Sequence, residues 1–178
     1  MDNFLSQIPL DFSKSNRKII IRQVKLENIN AHQLLEIIQK SEERKKVVLI
    51  VVLDDLIEEN PFYLKNNLTD FLSFCKNQTN ETIKRCTSRI WINLLRNKEI
   101  LMDFDTKEKI IELHFDWLLN DSLVATKSNC LSILFLLRDF SPWIKPELKA
   151  VIEKQLPENS ISYKARGEKY LKKLIKES

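Results

Sequence analysis

Few side chains in this 178-residue chain stand at spacings that chemistry requires. Of its two histidines, His114 follows Ile110 and Leu113 and precedes Trp117. At helical spacing it falls on an apolar stripe, where a histidine is a hydrogen-bonded core residue before it is a base. Neither His114 nor His32 has a carboxylate placed to orient it. Cys75, Cys86 and Cys130 are odd in number and contain no CxxC, and they read as three reduced thiols. The one close group of carboxylates is Asp54, Asp55, Glu58 and Glu59. At the end of a helix these read as solvated charge on its outer face, not as metal ligands. HExxH, GxxxxGK[ST] and GxGxxG are absent, and with Gly167 as the single glycine the last two cannot be written. No Ser-His-Asp or Cys-His arrangement suggests itself. The reading is of no catalytic residue, no cofactor and no metal ligand.

The basic residues offer binding chemistry instead. Arg85, Arg89 and Arg96 point away from the apolar stripe of one segment with Lys84 nearby, and Lys127, Lys164 and Arg166 stand at related positions later in the chain. These seven are the candidate partner-binding residues, able to meet an acidic peptide or phosphates. The stripe is discontinuous: Asp54, Asp55 and Glu58 occupy the matching face upstream, and Ser128 and Ser132 stand where arginines would continue it. The net charge of +4 does not by itself imply nucleic acid.

These residues are positioned by a repeated element. Lys46, Lys84, Lys127 and Lys164 are separated by 38, 43 and 37 residues. Five positions before each stands a helix-capping type, Ser41, Thr79, Ser122 and Asn159, and removing one such cap costs about 1 kcal/mol. Six, seven and ten positions after each come Val52, Leu53 and Leu56; Ile90, Trp91 and Leu94; Ile133, Leu134 and Leu137; Tyr170, Leu171 and Leu174. Those offsets share one face of a 3.6-residue helix. Capped amphipathic helices recurring at about 40 residues predict a helical solenoid.

Each of these second helices follows a first one. The expected pairs are 31–40 with 42–58, 61–76 with 80–96, 106–119 with 123–138, and 146–155 with 160–175. Pro61 suits a first helical position, and Asp105 with Glu108 makes a capping box. Links this short make each pair antiparallel. The third position after each lysine holds Leu49, Thr87, Cys130 or Gly167, which makes Gly167 a packing glycine inside a helix. Trp91 and Trp117 read as core, and Trp143 as packing between the third and fourth pairs. Residues 1–28 fit the repeat poorly and are expected to cap the stack. Phe4, Leu5 and Ile8 suggest a short helix, and the β-branched stretch from Arg17 to Leu26 is read as helix because a lone strand has no partner. The expected organisation is a cap over 1–28 and a repeat domain over 29–178.

The start MDNFLSQIPLDF lacks a basic region followed by an apolar core, so no signal peptide is expected. The longest apolar run, Val47 to Leu53, is seven residues where about 20 span a bilayer. With the reduced cysteines, these features point to a cytoplasmic chain.

The antiparallel pairs resemble HEAT-type repeats over residues 30–178. The segments IKRCTSRIWINLL, VATKSNCLSILFLL and LPENSISYKARGEKYLKKL further resemble a group of short bacterial helical proteins that carry the label adenylosuccinate lyase. What the resemblance implies is a HEAT-like all-α fold with no established activity. True adenylosuccinate lyases are far longer and carry a mobile SSxMPxKxNP loop with a catalytic serine, plus essential histidines. No stretch here matches that loop and no catalytic residue transfers, so the label reads as drift. The expected function is a non-catalytic interaction module that binds a protein or peptide along its second helices. Nucleic-acid binding, in the manner of HEAT-repeat DNA glycosylases, is the alternative, and the lyase a weaker one.

Overall fold

The computed structural model describes residues 8, 11, 13–120 and 122–176. Among these the chain is all-α, with nine α-helices and no strand. It divides into two compact units, Met1–Ile100 and Leu101–Ser178.

The first unit holds α1 (Lys14–Leu26), α2 (Ala31–Lys40), α3 (Glu43–Glu59), a 3-10 turn (Pro61–Leu64), α4 (Leu68–Lys76) and α5 (Glu81–Arg96). Helix α3 is its centre, packed against α1, α2, the 3-10 turn and α5. A helix covered on several sides has little need of a polar face. Accordingly every residue from Val48 to Leu53 is buried, as are Leu56 and Ile57. Phe71 of α4 lies 5.1 Å from Trp91 of α5, ring centre to ring centre, and both are fully buried. Burying a side chain of that size stabilises by about 1.5–3 kcal/mol. The β-branched run in α1 is helical, with Ile20, Ile21 and Val24 turned onto the core. Phe4 and Leu5 lie outside the described residues; Ile8 is buried and is not helical.

The second unit holds α6 (Phe104–Leu119), α7 (Val124–Leu136), α8 (Ile144–Gln155) and α9 (Ile161–Lys176). Here α7 is central, contacting α6, α8 and α9. Gly167 lets α9 close onto the end of α8. A Cβ there would come within 3.1 Å of Leu156 Cδ2 and 3.3 Å of Ile152 Cγ2, tighter than ordinary van der Waals contact, so an added methyl would push these side chains aside.

Several boundaries differ from those expected, for local reasons. Asn80, one residue after Thr79, caps α5, its side chain accepting from the amides of Thr82 and Ile83. Ser160 Oγ, not Asn159, accepts from the Tyr163 amide at 3.4 Å. Ser41 and Asn159 serve the preceding helices: the Ser41 hydroxyl donates to the Ile37 carbonyl and the Asn159 amide to that of Gln155. Glu42 and Leu123 precede α3 and α7 without a side-chain cap. Helix α6 starts at Phe104 behind Asp103, which accepts from the Thr106 amide at 2.7 Å; Asp105 sits in the first turn and pairs with Lys109. The stretch 61–76 is not one helix. Pro61 opens a 3-10 turn capped by Asn60, and the chain re-enters helix at Leu68.

Candidate interaction surface

The C-terminal part of α3 concentrates four carboxylates, Asp54, Asp55, Glu58 and Glu59, where the helix dipole already places negative charge. Cations from neighbouring helices offset this. Arg17 of α1 pairs with Asp55 at 3.0 Å, Lys25 of α1 with Glu59 at 2.7 Å, and Arg89 of α5 with Glu58 at 3.3 Å. Asp54 departs from the expected solvated charge: it is only 2% exposed, lying against α5 with Arg89 Nε 3.4 Å from Oδ2. Its Oδ1 has no hydrogen-bond partner. Desolvation by burial pushes this carboxyl from an ordinary 3.8 up to about 7, with Arg89 pulling the other way. Burial also raises Asp55, opposed by Arg17.

Arg89 therefore belongs to the α3–α5 junction as much as to the surface. Lys84 is largely covered and lies 3.2 Å from Glu81 within its own helix. Arg85 and Arg96 are exposed. In this unit Lys84, Arg85 and Arg89 stand close to acidic residues, and they do not form a bare positive groove.

The second unit is different. Ser128 and Ser132 of α7, expected on the surface, are buried and receive Arg166 of α9. Its guanidinium donates to the Ser128 carbonyl at 3.0 Å and to Asn129 Oδ1 at 3.3 Å. Tyr170 adds a hydroxyl bond to Ser132 at 3.0 Å and stacks on Phe135 with ring centres 4.4 Å apart. Arg138 covers the Phe135 ring at 4.1 Å. Arg166 thus joins two helices, and Lys127 and Lys164 are half-buried. Beyond them α9 presents Lys169, Lys172, Lys173 and Lys176, all exposed. With six basic residues and Glu168 as its one acid, α9 is the most basic surface of this unit.

Of the remaining chemistry-bearing groups, His32 of α2 is exposed, and against expectation a carboxylate stands beside it, Asp70 Oδ2 of α4 lying 3.4 Å from its Nδ1, whereas His114 and the three thiols are interior. His114 is fully buried; Nδ1 lies 2.7 Å from the Ile110 carbonyl, and burial lowers its pKa to about 4. Cys75, Cys86 and Cys130 are buried free thiols, and desolvation pushes Cys75 and Cys86 up to about 12. Trp91 and Trp117 are buried; Trp143 is half-exposed, its ring 5.5 Å from Phe115 of α6. Among the described residues no group of three or more His, Cys, Asp or Glu is arranged to hold a metal ion, and no helix is long and apolar enough to cross a membrane. An open cavity of about 500 Å³ lies between the C-terminal ends of α1 and α3, floored by Val24, Leu56 and Tyr63.

Sequence reading took Asp54 for solvated charge and passed over Arg17. A signal for Asp54 existed: Ile50 and Ile57, both fully buried, stand four before and three after it on one helix face. Arg17 carries no local signal, since its partner lies 38 residues away.

Comparison with protein-family models, curated proteins and solved structures finds no match to this chain.

Proposed function

We propose that this chain is a non-catalytic, HEAT-like helical-repeat module that binds an acidic protein or peptide through its second helices, with α9 as the principal docking helix. Two sets of contacts support the repeat reading. Second helices lie against one another, α3 with α5 and α7 with α9, and first helices pack on them, α2 on α3, α6 on α7 and α8 on α9. The observation that carries the binding reading is the exposed cationic face of α9, held against α7 by Arg166 and Tyr170. Fixed helix surfaces of one charge steer complementary partners and lose little conformational freedom on binding.

The test uses Lys169→Glu/Lys172→Glu, because both lysines are exposed and neither joins two helices. The folded chain and this variant are used to capture protein from native lysate, with and without nuclease, and are titrated with a poly-glutamate peptide. A protein retained after nuclease and lost in the variant, with matching loss of poly-glutamate binding, supports the proposal. Capture abolished by nuclease, with steeply salt-dependent DNA binding, supports the nucleic-acid reading instead. On the proposed reading the chain does not cleave adenylosuccinate; turnover at high chain concentration would refute it.

A further inference from the structure

The positive charge of this chain is not spread evenly. Helix α1 carries Lys14, Arg17, Lys18, Arg22 and Lys25 with no acidic residue. Lys14, Lys18, Arg22 and Lys25 follow one another at intervals of four, four and three, which keeps them on one helix face, and all four are exposed. Ile19 and Leu26, exposed by 60% and 70%, border this stripe. The buried side of α1 is a separate face, Ile20, Ile21 and Val24. Apart from Lys25, which pairs with Glu59 of α3, the cationic side is therefore surplus to what holds α1 in its unit.

Helix α6 carries the complement. Asp105, Glu108, Glu112 and Asp116 lie at intervals of three, four and four, again on one face, and all are exposed. Read from the C-terminal end of α6, the intervals are four, four and three, the same as those of α1 read forwards. Antiparallel alignment sets Lys14 against Asp116, Lys18 against Glu112, Arg22 against Glu108 and Lys25 against Asp105. Each stripe is about 16 Å long at a helix's rise per residue. Antiparallel helices also oppose their dipoles favourably. Some of this charge is engaged locally, Lys25 with Glu59, Asp105 with Lys109 and Asp116 with the Asn120 amide. Arg22, Lys18, Glu108 and Glu112 form the central pairs.

We infer that α1 of one copy of this chain docks antiparallel on α6 of a second copy through these matched charge stripes. This goes beyond the binding proposed for α9. Every copy offers both stripes, so a reciprocal exchange closes a two-fold dimer, whereas a one-way contact continues into chains. Exposed ion pairs are individually weak, so the association is reversible and dependent on salt.

Sedimentation velocity on the full chain tests this, in a concentration series reaching about 1 mM at about 50 mM and about 500 mM salt. At low salt the average mass is expected to rise with concentration, and at high salt to return to that of the monomer. Arg22→Glu or Glu108→Arg alone should weaken association by roughly tenfold, and the double variant, which restores opposite charges in the same register, should recover it. Lys172→Glu on α9 should leave association unchanged. A monomeric mass throughout the low-salt series overturns the inference, and so does association insensitive to salt. So does a double variant no better than either single one, or loss with Lys172→Glu while Arg22→Glu is silent. Both reversed residues are exposed, and circular dichroism of each variant confirms that helicity is retained.

Discussion

Replacing Asp54 by asparagine should change how the stability of the first unit depends on pH, and the sign can be worked out. In the folded chain burial raises this carboxyl to about 7 from an ordinary 3.8. Between those values the folded state holds a proton that the unfolded state releases, so stability present below pH 3.8 is lost as pH rises through 7. The shift corresponds to about 4 kcal/mol. His114 in the second unit works in the opposite direction. Its folded pKa of about 4 lies below the ordinary 6.5, so its contribution is present above 6.5 and is lost as pH falls towards 4, by roughly 3 kcal/mol. Two buried groups thus tilt the two units in opposite directions across one window. The assay is urea unfolding at about pH 4.5 and about pH 8, with hydrogen exchange resolving α3 and α5 from α6 and α7. Asp54→Asn should exceed the parent by only about 1 kcal/mol at the lower pH and by up to about 4 kcal/mol at the higher one, in α3 and α5 alone. Equal gains at both pH values, or a loss at pH 8, would refute the reasoning, since either would mean that the carboxyl is ionised in the folded chain throughout.

Three other outcomes are expected. Asn80→Ala should cost about 1 kcal/mol in chemical denaturation and Thr79→Ala close to nothing, because the Asn80 side chain holds the amides of Thr82 and Ile83. Gly167→Ala gains helix propensity but drives a Cβ to 3.1 Å from Leu156 Cδ2; a net loss of about 1–2 kcal/mol is expected, and Leu156→Ala in the same chain should make the added methyl less costly. Arg89→Glu should lower the melting temperature, because it sets a third carboxylate against Asp54 and Glu58; Arg96→Glu, on the same helix and exposed, should not.

The helical content was largely legible in the sequence, because it rests on periodicity. The offsets from the four lysines pick out Val52, Leu53 and Leu56, then Ile90, Trp91 and Leu94, then Ile133, Leu134 and Leu137, all buried. In the last copy Leu174 is buried, while Tyr170 and Leu171 are half-buried, as suits a helix with less packed over it. Caps were less legible. Thr79–Asn80 and Asn159–Ser160 each place two competent residues side by side, and only backbone geometry decides between them. The site was least legible. Charge runs look solvated in one dimension, yet Asp54 becomes interior and Arg89 a crosslink once α5 lies along α3. Ser128 and Ser132 look like a gap in a basic stripe until Arg166 is seen to fill it from α9. Pairings between residues more than 30 apart have no local signature.

The three thiols have a consequence for the chain's chemistry over time. Cys75, Cys86 and Cys130 are all buried, and the pKa values of Cys75 and Cys86, near 12, leave almost no thiolate at neutral pH. Oxidants and alkylating agents therefore reach them only through opening, and their modification rate measures how often each unit opens. Cys75 and Cys86 report on the first unit and Cys130 on the second, so the chain carries a built-in clock for each. Once a reagent has captured an opened thiol the unit cannot close over it, and a reversible fluctuation becomes a permanent loss.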